Sequence, residues 1–249
     1  MVAGLVAWSL LLAGLAVWSY REDAPTVREQ RTLADATPLV SAALGNLVAA
    51  AGDGAVSALD PTRVAEGCRI TPVRDGAEMT GGVRFYTAPE GVPALLGRIV
   101  AGLPAGYGAR ASATALRADA GDFVAVRGRQ VTPGVVQVVV TTGCRPLGAA
   151  VDDRGVGSPV EGLPDPVLTA LGASSVEPGT LTVAPCPDGG LAATAVAVGR
   201  GDALKPLRSA GGLAVLDSPD AYAYRADGFD YVVRPAGDGA VRVAATQPC

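Results

Sequence analysis

The first hydrophobic feature of the chain is an uninterrupted apolar run. From residue 2 to residue 18 every position is apolar except Ser9. A helix over residues 1–20 would be about 30 Å long, which is roughly the thickness of bilayer hydrocarbon. Trp18 and Tyr20 are residue types that favour the membrane interface. The run therefore predicts a transmembrane anchor at residues 1–20.

Two other interpretations of this run are less favoured. A buried core helix is disfavoured because a helix without a polar face needs a large domain around it. A cleaved signal peptide needs a basic start and a small-residue cleavage motif, and the sequence before Arg21 shows neither clearly. We expect an uncleaved anchor.

The charges after the run conflict with the extracytoplasmic position that we expect for the rest of the chain. Arg21, Arg28 and Arg31 follow it and no basic residue precedes it, so the positive-inside rule alone would place the rest of the chain in the cytoplasm. Glu22 and Asp23 accompany these arginines, and long domains are translocated with little regard to charge. The cysteines described below favour an extracytoplasmic position.

Further along, the spacing of apolar residues predicts one clear helix. Thr87 and Glu90 have the spacing of a capping box, and Pro104 would end the helix. The apolar positions that recur on one face are Val92, Leu95, Leu96, Ile99, Val100 and Leu103.

Runs typical of strands surround this helix. Residues 68–74 and 78–86 flank an Asp75-Gly76 turn, and residues 123–131 and 135–142 flank a turn at residues 132–134. These runs predict antiparallel hairpins, and hence an α+β domain.

The second half of the chain resembles the first. Residues 37–45 are echoed by residues 165–172, with Thr37 and Asp165 as N-caps and Pro38 and Pro166 at the first helical position. Such self-similarity predicts a duplication. The other matches are Arg117-Ala-Asp119 with Arg225-Ala-Asp227, Arg127 with Arg234, and Val136-Gln-Val138, Thr141 and Cys144 with Val241-Arg-Val243, Thr246 and Cys249.

The second copy is shorter than the first. We expect a helix over residues 202–210 and a final hairpin of residues 229–234 and 240–245 across the turn at residues 237–239. The predicted organisation is an anchor (1–20), a charged juxtamembrane stalk (21–36), a first α+β repeat (37–145), a Pro/Gly-rich linker (146–164) and a second α+β repeat (165–249).

The four cysteines are widely spaced. No two of them form a C-x-x-C pair, and the chain has no histidine, so a metal site is not expected. The cysteines are Cys68, Cys144, Cys186 and Cys249. Four cysteines allow three disulfide connectivities. The duplication selects Cys68–Cys144 and Cys186–Cys249, one bridge in each repeat, which requires an oxidising compartment.

Composition removes several classes of function. Without histidine, Ser-His and Cys-His catalysis are excluded, and a net charge of −4 gives no general basic field for nucleic acid. Lys205 and Ser209 lack the S-x-x-K spacing. No phosphate-binding loop or cofactor motif is found. The carboxylates Asp152, Asp153, Asp217, Asp220, Asp227 and Asp230 mostly lie beside Gly or Pro, as turn residues do.

The repeated arginines are the remaining candidates for a binding site. They could hold an anionic envelope polymer or a lipid headgroup, although one water-facing side of each sheet would also explain them. The candidate anion-binding residues are Arg117, Arg127, Arg225, Arg234 and Arg242.

The function expected from the sequence is binding or scaffolding at the cell envelope, by a single-pass membrane protein that is not an enzyme. Its partners would be the lipid bilayer, through the N-terminal helix, and an envelope polymer or another membrane protein. The alternatives are a carboxylate-dependent envelope hydrolase and a sensor or assembly subunit of a membrane complex.

Overall fold

The computed structural model describes residues 2–22, 31–148, 158–159, 165–171, 173–175, 179–200 and 214–249. The helices are α1 (Val2–Glu22), α2 (Leu33–Ala51), α3 (Val92–Gly102) and α4 (Asp165–Ala170). The predicted helix at residues 202–210 lies outside these ranges, as do most of the predicted stalk and linker.

Helix α1 presents large apolar side chains to its surroundings. Its 21 residues would extend about 31 Å, which is enough to span bilayer hydrocarbon. These side chains are 49–69% exposed, and they belong to Val6, Trp8, Leu10, Leu11, Leu12, Leu15, Val17 and Trp18. The chain thus begins with an apolar helix of membrane-spanning length.

Helix α2 is the core helix. The segment Leu33–Gly54 also has the length and hydropathy of a membrane span, but half of its most apolar 18-residue stretch is buried inside the protein. Leu33, Leu44 and Leu47 are at most 1% exposed. This burial shows that α2 packs within the folded part of the chain.

The predicted start of α2 is wrong by five residues. Thr32 is the N-cap and forms a capping box with Asp35, while Thr37 donates its hydroxyl proton to the carbonyl of Leu33 inside the helix. Pro38 is likewise inside the helix. Residues 33–36 therefore belong to the core helix and not to a stalk.

The first sheet has six antiparallel strands in the order β1-β2-β6-β5-β4-β3. The strands are β1 (Val56–Thr71), β2 (Arg74–Tyr86), β3 (Arg110–Ala111), β4 (Ala115–Asp119), β5 (Ala125–Thr132) and β6 (Val135–Thr141). The β5–β6 hairpin turns at Pro133 and Gly134, as predicted. The β1–β2 hairpin turns at Pro72 and Val73, so the predicted Asp75-Gly76 turn is wrong.

Helix α3 confirms the predicted apolar face and corrects its cap. Val92, Leu95, Leu96 and Ile99 are buried, and the helix ends before Leu103. Gly91 is the N-cap and has no side chain with which to cap the helix, and a 3-10 turn at Pro89–Gly91 precedes it. The predicted capping box from Thr87 is therefore absent.

The second sheet has eight strands. Its main path runs β11-β12-β13-β14-β10-β9-β7, and β8 pairs with β10. The strands are β7 (Ser158–Pro159), β8 (Ser174–Ser175), β9 (Thr180–Pro185), β10 (Leu191–Arg200), β11 (Ala214–Asp217), β12 (Tyr222–Ala226), β13 (Phe229–Gly237) and β14 (Ala240–Gln247). The predicted final hairpin corresponds to β13 and β14.

The two sheets share a strand order and a register. The path β9-β10-β14-β13-β12-β11 repeats β1-β2-β6-β5-β4-β3. Gly128 pairs with Val138 in the β5–β6 hairpin, and Val233 pairs with Val243 in the β13–β14 hairpin. Each hairpin also carries a bulge at the same place, after Gln130 and after Pro235.

Both predicted disulfides are present. Cys68 bonds Cys144 and Cys186 bonds Cys249, and there is no free cysteine among the described residues. In the first sheet the bridge joins the end of β1 to the segment after β6, and β2 lies between them. In the second sheet the bridge joins the end of β9 to the segment after β14, and β10 lies between them. Cys68 lies near the end of β1 and Cys186 follows β9, so neither opens its sheet as predicted. The bridges suit an oxidising compartment.

The two sheets pack against each other and share helix α2. Ala184, Cys186 and Ala192 of the second sheet join the cluster that contains Leu33 and Leu44. A second cluster unites residues of both sheets: Val56, Ala58, Tyr86, Val135, Val196, Leu216, Ala221, Ala223, Val232 and Ala244. The two halves therefore have a joint hydrophobic core.

Candidate anion-binding site

The free edge of β1 lies over the second sheet and is held by buried polar side chains. The amide and hydroxyl of Ser57 both donate to Oδ2 of Asp230, at 2.7 and 2.9 Å. The amide of Leu59 donates to the hydroxyl of Thr194 at 2.9 Å. These side chains replace the strand partner that an edge strand lacks.

Arg225 completes this contact between the sheets. Its Nε donates to Oδ1 of Asp230 at 2.7 Å, and its terminal nitrogens bind the carbonyl of Ala55 at 2.8 Å and the carboxylate of Asp53 at 3.2 Å. The sequence predicted Arg225 to be one of the anion-binding residues. In the structure the guanidinium group of Arg225 binds carboxylate and carbonyl groups of the protein itself, so Arg225 joins the two sheets.

One side of the first sheet is covered by helices, and the other side carries arginines. Leu116, Val126 and Val138 face α2 and α3 and are at most 1% exposed. Side chains alternate between the two faces of a strand, so their neighbours point to the opposite side. The exposed arginines on that open side are Arg110, Arg117, Arg127 and Arg129, here called the arginine face.

The strand register places these arginines beside one another. Arg110 pairs with Arg117, and Arg117 pairs with Arg127, so three guanidinium-bearing side chains form one row across β3, β4 and β5. Arg129 is two residues further along β5 and pairs with Gln137. Like charges directly opposite each other destabilise a sheet. Among the residues that the structure describes, none of the four forms a salt bridge with a carboxylate.

A second group of arginines lies where the open side of the first sheet meets the second sheet. It consists of Arg84, Arg234 and Arg242, here called the arginine crevice, and the charge of Arg63 acts on it from nearby. Arg234 and Arg242 are direct partners across the β13–β14 hairpin. Arg84 forms a 3.3 Å salt bridge with Asp60, and Arg234 lies 3.5 Å from the hydroxyl oxygen of Tyr86.

The charges of the crevice act on one another. Burial lowers the pKa of Arg242, and the neighbouring positive charges of Arg234, Arg84 and Arg63 lower it further, while Asp60 raises it. Arg242 is nevertheless charged at neutral pH, since an arginine guanidinium is not deprotonated in proteins. The lowered pKa shows that one carboxylate offsets only part of the repulsion.

Two cavities meet at the crevice. A small one of about 30 Å³ has an apolar floor of Ala58, Leu59, Val196, Val232 and Ala244 below Arg84, Arg234 and Arg242. A larger one of about 300 Å³ shares Arg84, Tyr86 and Arg234 with it and extends towards Thr132 and Asp220. A third, of about 390 Å³, lies at Arg117, Arg127 and Arg129 on the arginine face.

The predicted correspondence between arginines of the two halves is wrong by two residues. The register matches Arg234 with Arg129, not with Arg127, and matches Arg225 with Asp119, not with Arg117. A shift of two residues keeps a side chain on the same face of a strand, so the predicted alternation survives the error.

The structure therefore divides the five candidate arginines among three places. Arg117 and Arg127 lie on the arginine face, Arg234 and Arg242 lie in the crevice, and Arg225 lies, partly exposed, at the contact between the two sheets. Arg63, Arg84, Arg110 and Arg129 were not among the residues predicted from the sequence. Arg110 and Arg129 were detectable as additional arginines on the same strand face, whereas the approach of Arg84 to Arg242 depends on how the sheets pack.

The candidate acidic residues do not converge on a common site among the described residues. Asp230 is bound by Arg225, Asp227 lies in a turn with φ of 51°, and Asp220 lines the larger crevice cavity. Asp152 and Asp153, like Lys205 and Ser209, lie outside the described ranges. The described residues contain no group of three or more His, Cys, Asp or Glu side chains that could hold a metal ion.

The fold and site define an α+β protein with two antiparallel sheets, an N-terminal apolar helix and two clusters of exposed or partly exposed arginines. No family model matches the chain, and no curated protein or solved structure matches it.

Proposed function

We propose that this chain is a membrane-anchored, extracytoplasmic binding protein whose arginine face holds an anionic polymer of the cell envelope. The observation that carries the proposal is the row of Arg110, Arg117 and Arg127, which lie on adjacent strands without carboxylate partners among the described residues. Such an array is destabilising by itself and becomes favourable when anions lie between the guanidinium groups.

The dimensions of the array favour a polymer. Adjacent strands are about 4.8 Å apart, so the two strand spacings from β3 to β5 extend over about 10 Å. Arg110 and Arg127 mark the two ends of this distance. A ligand with regularly repeated negative charges can contact the whole array, while a single small anion contacts one end.

The location is supported by the anchor and the disulfides. Helix α1 is long enough to span bilayer hydrocarbon, and it exposes large apolar side chains from Val6 to Trp18. Two disulfides require an oxidising compartment, which lies outside the cytoplasm. The matching strand order and the matching positions of the disulfides support a second part of the proposal, that the two halves arose by duplication.

The binding proposal is tested with the full chain in an uncharged detergent and fluorescent polyphosphate as the linear polyanion. Arg117→Gln with Arg127→Gln is expected to weaken binding at least tenfold and to reduce the salt dependence of log K. The matched control is Arg69→Gln with Arg74→Gln at the tip of the β1–β2 hairpin. It removes the same charge and should change the affinity less than twofold. Equal weakening by both pairs would mean that only net charge matters.

The location is tested by flotation of the full chain with vesicles and by alkaline extraction of native membranes. The chain should float with neutral vesicles and resist extraction. Leu11→Arg with Leu12→Arg should release it, because two arginines near the bilayer centre cost about 5–7 kcal/mol on insertion scales. Native protein with four free thiols would contradict the extracytoplasmic location.

A further inference from the structure

We infer that the arginine crevice is a distinct subsite for one phosphate group, formed only when the two sheets are packed together. This inference rests on the proposed function and deepens it by naming the anion. Arg84 comes from the first sheet, and Arg234 and Arg242 come from the second. Neither sheet has the three side chains alone.

The number of guanidinium groups selects the anion. A carboxylate has two oxygens in one plane and can accept about four hydrogen bonds, which one or two forked arginine contacts can fill. A phosphate group presents three or four oxygens around a tetrahedral centre and can accept from several arginines at once. The three arginines that line the small cavity, Arg84, Arg234 and Arg242, and one carboxylate, Asp60, leave an excess of about two positive charges, which a doubly charged phosphate matches.

The cavity supports a compact group. The small cavity of about 30 Å³ has room for about two water-sized atoms, so it can take in two oxygens of a phosphate group, and its apolar floor strengthens charge-assisted contacts by lowering the local polarity. The larger cavity of about 300 Å³ shares Arg84, Tyr86 and Arg234 with the small one, so the remainder of a phosphate-bearing ligand can lie in it. The phenol of Tyr86 lies at the junction of the two cavities.

Internal charges give the subsite a specific signature. Asp60 occupies one side of Arg84 at 3.3 Å and competes with an incoming anion for the guanidinium groups. Removing this carboxylate should tighten phosphate binding, whereas removing Arg242 should weaken it. Removing Arg242 should also stabilise the ligand-free protein, since its guanidinium is repelled by Arg234, Arg84 and Arg63.

The test is a titration of the full chain with inorganic phosphate, in an uncharged detergent and at constant ionic strength. Binding is measured by calorimetry and by the shift of the unfolding midpoint. Saturable binding is expected. Arg242→Gln should weaken it at least tenfold, Arg242→Lys about threefold because the charge remains without the fork, and Asp60→Asn should strengthen it about threefold. Arg117→Gln with Arg127→Gln should leave it within twofold.

The outcomes separate this inference from the proposed function. Loss of phosphate binding in Arg242→Gln with polyphosphate still held by the arginine face supports both. No saturable phosphate binding, or equal weakening in the crevice and face variants, overturns the subsite, and polyphosphate binding that still depends on Arg117 and Arg127 then leaves the proposed function standing. Vesicles containing phosphatidic acid identify the source: binding that depends on Arg242 and exceeds that of free phosphate assigns the phosphate to a lipid headgroup.

Discussion

Arg225 and Asp230 form an ion pair, with Nε 2.7 Å from Oδ1, that connects the second sheet to the free edge of the first. Asp230 is 1% exposed, and its other oxygen accepts two hydrogen bonds from Ser57. A single carboxylate therefore satisfies a guanidinium group of one sheet and a strand edge of the other. The packing of the two halves depends on this carboxylate.

Asp230→Asn is expected to destabilise the protein by about 3 kcal/mol, because the change leaves the buried side of Arg225 without its counter-charge. The measurement is the free energy of unfolding in urea. Asp238→Asn is the matched control, since Asp238 lies in the exposed turn of the same hairpin with φ of 47°, which asparagine tolerates. Equal effects of the two substitutions would show that Asp230 has no special role.

Gly45→Ala should separate the second sheet from helix α2. A Cβ atom at this position would overlap the backbone carbonyl of Pro185. We expect a loss of about 2–3 kcal/mol, since backbone cannot move aside without repacking. Gly97→Ala on the outer side of α3 is the control: its Cβ would meet nothing within 4 Å, and the change should stabilise by about 0.5–1 kcal/mol. A tolerated Gly45→Ala would contradict the close packing of α2 on β9.

Replacing Cys186 and Cys249 by alanine should cost about 4 kcal/mol on the chain-entropy model, for a sequence separation of 63 residues. Peptide mapping without reductant should show only the Cys68–Cys144 bridge in this variant. A free energy of unfolding equal to that of the parent would indicate that the joint core, and not the bridge, stabilises the second sheet.

Tyr224 should ionise later than an ordinary tyrosine. Burial, followed by the neighbouring Tyr231 and Tyr222, raises its pKa from 10.0 to about 12. Because the folded-state pKa is the higher one, the stability linked to this phenol is complete below pH 10 and is lost as the pH rises through about 12. Absorbance at the tyrosinate band should show a late step that is absent after Tyr224→Phe and after unfolding in guanidinium. The phenylalanine variant should also lose less stability over this pH interval.

Local chemistry made several elements predictable. Pro133-Gly134 supplies the residues that a tight turn requires, and the structure places the turn there. The disulfide pairing followed from the repeated order of the cysteines along the chain. The apolar face of α3 followed from its helical period.

Other features depend on tertiary packing. Residues 56–60 do not stand out as a strand, and Pro61 lies inside β1 at a bulge between Asp60 and Arg63. Proline is tolerated there because β1 is an edge strand and lacks a partner on one side. The contact that Asp230 makes between the two sheets could not be predicted from the sequence either, because its partners Ser57 and Arg225 come from opposite halves of the chain.

The joint core around α2 has a consequence for chain cleavage. Residues of the second sheet, among them Ala184 and Ala192, complete the apolar surroundings of Leu33 and Leu44. A protease that cuts once between the sheets would therefore produce two fragments that remain associated, as complementary pieces of one folding unit. Neither piece would be expected to survive as an autonomous module.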